Sequence, residues 1–201
     1  MMKNTKERIQ EEALFLFSKR GYMGTSMNDI AKRIGVTKAA LYKHYTSKQE
    51  ILDSIIEKMD ELDQQRSHDY KMPEGDMENI VEGYKHTAFD KIKSYTKAQF
   101  DHWTKETFSS RFRKMLTLEQ YNTPEMGELY AHYLVKDPVS YIEKIFLGIV
   151  NDQVQAKLLS LEFYGPLFLL YSLYDEGRSE EYIYEMLEKH CDLFERNLRH
   201  G

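Results

Sequence analysis

The stretch Gly21–Leu52, GYMGTSMNDIAKRIGVTKAALYKHYTSKQEIL, sets three helix starts close together. Ser26 is placed to cap the first, with Asp29 at the capping-box position and Ile30, Ala31 and Ile34 as its apolar stripe, and Gly35 stops it. Thr37 caps a short second helix, Lys38 to Tyr45. Ser47 and Glu50 form another capping box, after which Ile51, Leu52, Ile55, Ile56, Met59 and Leu62 run on at helical spacing to about Tyr70. Upstream, Asn4 or Thr5 caps a helix whose apolar positions Ile9, Ala13, Leu14, Leu16 and Phe17 end at Gly21, a left-handed terminator.

Beyond Tyr70 the chain stays helical in character. Pro73 and Gly75 break the long helix, and an aromatic-rich stretch follows from Met77 to about Tyr121. Pro124 and Pro138 are expected in the first turns of new helices, and the last two helices, roughly 152–175 and 179–199, are joined by DEGRS as antiparallel neighbours. With four prolines and ten glycines in 201 residues, an all-α fold of about nine helices is expected, divided into a head, residues 1–47, and a body, residues 48–201.

Charge separates the same two parts. Residues 1–48 hold ten Lys/Arg against four Asp/Glu, a net of +6, while the whole chain is −5, so the remainder carries −11. A basic head on an acidic body suggests that the head meets a polyanion. No run approaches the roughly 18 apolar residues of a membrane span, the amino end carries acids where a secretory signal would be apolar, and a lone cysteine, Cys191, permits no intrachain disulfide. A cytoplasmic protein with no membrane partner is expected.

Two helices joined by a short glycine-containing turn have the form of a helix-turn-helix, whose second helix enters the DNA major groove. On that second helix Lys38, Ala39, Tyr42 and Lys43 share an arc of roughly 140°, with Leu41 and His44 on the other side. Lys38 and Lys43 can neutralise phosphates or donate to guanine, Tyr42 can bond a phosphate, and Ala39 lets the backbone approach a base edge. Thr25 and Ser26, Thr37, and Thr46, Ser47 and Lys48 stand at helix amino termini, where hydroxyls, free N–H groups and positive dipole ends favour anionic oxygens. For Ser26 and Ser47 plain capping accounts for the hydroxyl equally well.

The run resembles the amino-terminal domain of the TetR family of bacterial transcriptional regulators. It follows that family's order of G-[FY]-x-x-T-[ST]-x-x-x-I-A, then G-V-[ST]-x-x-x-[LI]-Y-x-[HY]-[FY], then x-S-K-x-x-L, over about 50 residues. The resemblance implies that Thr25, Thr37, Lys38, Tyr42, Lys43, His44 and Lys48 lie at or near a double-stranded operator. It also implies that the remaining helices bind a small-molecule effector and form a homodimer.

The body's own residues point the same way less sharply. Apolar stripes at Leu158, Leu161, Tyr164, Leu167, Phe168 and Tyr171, and at Ile183, Met186, Leu187, His190, Phe194 and Leu198, can pair with a second copy as a four-helix bundle, or close the chain's own core. For dimerisation the expected residues are Leu161, Tyr164, Phe168, Tyr171, Ile183, Met186, Leu187, His190 and Phe194. For a small hydrophobic or aromatic effector they are Trp103, Phe100 and Phe108, then Tyr84, Phe112 and Tyr121, because small-molecule sites are lined by apolar and aromatic side chains with a few polar groups.

Enzymatic chemistry has little to stand on. No nucleophile with a base partner and no phosphate loop stands out. Cys191 and His190 point about 100° apart on one helix, and His102 with Glu106 lacks a third ligand in register. The expectation is a DNA-binding regulator, commonly a repressor, with no metal or cofactor. Its alternative is an adaptor whose helical body binds a protein and no small ligand.

Overall fold

The computed structural model of the chain describes residues 4–200, and these form eleven α-helices. They are α1 (Thr5–Arg20), α2 (Met27–Ile34), α3 (Lys38–Tyr42), α4 (Lys48–Asp69), α5 (Met77–Lys85), α6 (Phe89–Thr104), α7 (Thr107–Glu119), α8 (Pro124–Leu134), α9 (Lys136–Val150), α10 (Gln153–Asp175) and α11 (Glu180–His200). The all-α expectation is met. The count exceeds nine because the aromatic-rich stretch divides into α5, α6 and α7, at boundaries that no proline or glycine marks.

The caps act as the sequence reads. Asn4 and Glu7 form a capping box on α1, Ser26 and Asp29 on α2, and the Thr37 hydroxyl accepts the Ala40 N–H on α3. At α4 the Ser47 hydroxyl accepts the Glu50 N–H, but the Glu50 carboxylate reaches back to the N–H and hydroxyl of Thr46. Gly35 is left-handed at φ 77°, ψ 32°, as expected; Gly21, at φ 76°, ψ 161°, instead holds an extended positive-φ conformation. Pro124 opens α8 and Pro138 lies in the first turn of α9.

The chain forms two compact units. One comprises residues 1–66 and 107–130, the other residues 67–106 and 131–201. In the first, Ile9, Leu14, Phe17, Ile30, Leu41, Ile51, Leu52 and Ile55 are almost wholly buried, and α7 packs along α1. The Phe15 ring carries two guanidinium groups, Arg33 at 3.6 Å and Arg111 of α7 at 4.9 Å. A helix from well beyond the expected head boundary is thus part of the same packed body as α1–α3.

In the second unit α10 packs against α9, α11 and α6, and α5 against α9. Phe146, Ala156 and Phe194 form a core, with Phe163, Ile142 and Leu198 packed on it. Among the described residues no helix is long and apolar enough to cross a membrane.

Candidate nucleic-acid interface

The geometry of α2 and α3 follows from which side chains they must hide. Met27, Ile30, Ala31 and Ile34 bury one face of α2, and Leu41, fully buried, anchors α3 to it. Tyr45 is 3% exposed and closes the unit beneath α3. With these on the inside, Thr37, Lys38, Ala39, Tyr42 and Lys43 all face solvent, Tyr42 at 41% exposure. The Lys38 ammonium lies 5.7 Å from the centre of the Tyr42 ring, so cation and phenol form one exposed surface. His44 is half-buried at its edge.

Ser26 is exposed, but its hydroxyl is committed to capping: it accepts the Asp29 N–H at 3.2 Å and donates to the Asp29 carboxylate. That carboxylate also accepts the Ser26 N–H at 2.9 Å. The Ser26 hydroxyl, followed by its N–H, holds the Asp29 carboxyl below the usual carboxylate range. The Thr46 N–H and hydroxyl do the same for Glu50.

Two expected DNA contacts are turned inward. Thr25 is 2% exposed, and its hydroxyl donates to the Gly21 carbonyl at 2.9 Å, bracing the α1–α2 turn. Lys48 donates to the carbonyls of Tyr22, at 2.6 Å, and Thr25, at 2.7 Å, with its ammonium 4.2 Å from the Tyr22 ring centre. Two of its three protons are spent inside the protein. A long side chain at a helix start can fold back onto nearby carbonyls, which spacing alone does not reveal.

The outward arc of α3, cationic and hydroxylated over a buried leucine, is the surface a recognition helix presents to a duplex. Residues 9–55 match the family model described as bacterial regulatory proteins, tetR family. These residues carry the chain's likeness to the TetR family.

The match lies within the DNA-binding domain. The biofilm operon icaADBC negative transcriptional regulator IcaR of Staphylococcus epidermidis is 44% identical over 52 residues, 26% of this chain and 28% of that protein. The chain thus spans about a quarter of the length of the curated relatives it matches. Whole-chain likeness is one of fold. A TetR-family regulator from Bordetella parapertussis superposes with a TM-score of 0.62 at 18% identity, covering 96% of this chain and 95% of that one. AibR, solved with isovaleryl coenzyme A and operator DNA, gives 0.61 at 20% identity, covering 94% and 97%.

The residues expected to line an effector site are divided between the two units. Tyr84, Phe100 and Trp103 belong to the second. Phe100 is 1% exposed, stacks on Tyr171 at 5.2 Å and meets the edges of Tyr174 and Tyr184. Trp103 lies beside His102 and Tyr133. Burial pushes the Tyr84 phenol well up, and its hydroxyl bonds that of Tyr141, which burial also raises. Phe108, Phe112 and Tyr121 belong to the first unit. Phe112 is core there, Phe108 lies under the Lys58 ammonium at 4.4 Å, and Tyr121, at 89% exposure, lines no enclosure.

The dimer set also divides. Tyr171, Ile183, Leu187 and Phe194 are buried within the protomer, because α11 closes its own chain's core against α10 and α6. They are therefore unavailable to a second copy. Tyr164, Phe168, Met186 and His190 are half-buried; Tyr164 donates to the Leu134 carbonyl at 2.8 Å, and the His190 ring nitrogen lies 2.9 Å from the Phe163 carbonyl. Leu161 is exposed together with Leu158 of the same expected stripe and with Val154 and Leu169, which that stripe did not include; Val154, Leu158 and Leu169 are each more than half exposed. The signal was present in their spacing of four, three and eight residues, which returns to one helical face.

His102 Nδ1 lies 2.8 Å from Glu106 Oε2. Among the described residues no group of three His, Cys, Asp or Glu side chains is placed to hold a metal. Burial pushes the Cys191 thiol up to about 11, which keeps it protonated and unreactive at neutral pH.

Proposed function

We propose that this chain is a repressor that binds a two-fold symmetric operator as a homodimer and is released when a small, largely apolar effector binds its helical body. The observation that carries the reading is the two-sidedness of α3, with Leu41 buried and Lys38, Ala39, Tyr42 and Lys43 outward. Repression is favoured by the IcaR relatives, which are negative regulators by name. An apolar effector is favoured by the aromatic and phenolic residues packed around Phe100 and Tyr84.

The dimer follows from α10. Val154, Leu158, Leu161, Gly165 and Leu169 fall within an arc of about 80°, and Ala156, Ser160, Leu167, Leu170 and Tyr171 bury the opposite side. A Cβ added at Gly165 would meet nothing within 4 Å, so the gap in this apolar row is open to another helix. Two copies joined along it bury the row and carry two recognition helices, as paired major-groove half-sites require.

Selection of duplexes from a random-sequence library by the purified protein, followed by footprinting, tests the reading. It should return an inverted repeat protected on one face. Recovery of no preferred sequence at modest ionic strength would end it.

A further inference from the structure

Glu119, the last residue of α7, is 1% exposed, and a buried carboxylate persists only where partners hold it. Its Oε1 accepts the Met23 N–H at 3.3 Å and its Oε2 accepts the Asn122 side-chain amide at 2.9 Å. The approach depends on Gly21, where a Cβ would stand 2.1 Å from Oε1. From the other side Lys48, the first residue of α4, holds the carbonyls of Tyr22 and Thr25; burial lowers the pKa of its ammonium group, and the Glu119 charge partly opposes that lowering. The Tyr22 hydroxyl donates to Gln49 at 2.9 Å, so α4 grips the turn twice.

The α1–α2 turn is therefore held by two charged side chains foreign to it, one from each of two long helices. It leads directly into Ser26, the cap of α2, and α2 carries α3 through their shared apolar face. Because α7 packs along α1 through Arg111 on Phe15, a shift of α7 along that contact withdraws the carboxylate from Met23 and leaves it buried with one partner fewer.

We propose that Glu119 and Lys48 form a latch on the α1–α2 turn through which the position of α7 sets the pose of the recognition helix, with Lys48 acting as a positioning residue and not as a phosphate contact. The proposal rests on the reading of the chain as a DNA-binding regulator.

A double-mutant cycle tests it, with the full-length protein and the duplex it selects from a random library as probe. Glu119→Gln and Lys48→Met should each weaken binding about tenfold, within the usual range of energetic coupling between sites. The double mutant should be no weaker than either single one. The dependence on salt should stay that of the wild type, and the amides of Met23 and Thr25 should exchange faster in both single mutants. Should Glu119→Gln fail to fold, Glu119→Asp, which retracts the carboxylate from Met23, replaces it with the same expectation.

The latch is overturned if Lys48→Met lowers the salt slope by about one unit and its loss adds in full to that of Glu119→Gln, which is the behaviour of a phosphate contact. Unchanged affinity in Glu119→Gln overturns it equally. Lys43→Ala serves as the reference: it should lower the slope and add to Glu119→Gln. If Lys43→Ala leaves binding untouched, it is the DNA-face reading that fails, and the exchange data still decide whether the latch exists.

Discussion

At the scale of single residues, Gly21 and Tyr42 mark the two kinds of demand on this domain. Gly21 combines a backbone conformation essentially confined to glycine with the close approach of Glu119. Gly21→Ala should therefore destabilise the first unit by about 1–3 kcal/mol from backbone strain alone, read as a lowered midpoint in denaturant, and more if Glu119 is forced to move. Tyr42, by contrast, supports little else in the protein. Tyr42→Ala should leave the midpoint within about 0.5 kcal/mol of wild type while weakening operator binding. Sequence made the Gly21 stop legible, because a glycine after an apolar helical stripe has few other uses. It could not show the carboxylate packed against it, since Glu119 lies almost a hundred residues away.

Among the elements, α2 and α4 depend on carboxylates that cap their starts. Asp29 and Glu50 both sit below their ordinary values because the hydroxyls and N–H groups of Ser26 and Thr46 bond the ionised form. A depressed folded value means that the stabilisation is complete above the ordinary carboxylate range and is lost as pH falls through the folded values. Helix content of the first unit should accordingly fall on acidification, and Asp29→Asn should flatten that dependence in circular dichroism titrations. Such caps were readable because they need only residues three apart. The faces of α10 and α11 were not equally readable: both helices are apolar on several sides, and which side faces the protomer's own core depends on partners distant in sequence. Ile183, Leu187 and Phe194 went inward, leaving Val154, Leu158, Leu161 and Leu169 outside. Leu158→Glu with Leu161→Lys should hold the chain monomeric by sedimentation without unfolding it, since neither residue supports the core. A persistent dimer would move the interface elsewhere.

For the whole molecule, the uneven charge, +6 over residues 1–48 and −11 beyond, favours approach to a polyanion by the basic end. An effector can release DNA only by binding the weakly binding state more tightly, since equal affinity for both states shifts nothing. The central claim remains that the outward face of α3 meets the duplex. Fluorescence anisotropy on the selected duplex, comparing wild type with Tyr42→Ala and Lys43→Ala at several salt concentrations, tests it most directly. The account predicts weaker binding in both variants and, for Lys43→Ala, a salt slope lower by about one unit; wild-type affinity and slope in both folded variants would contradict it.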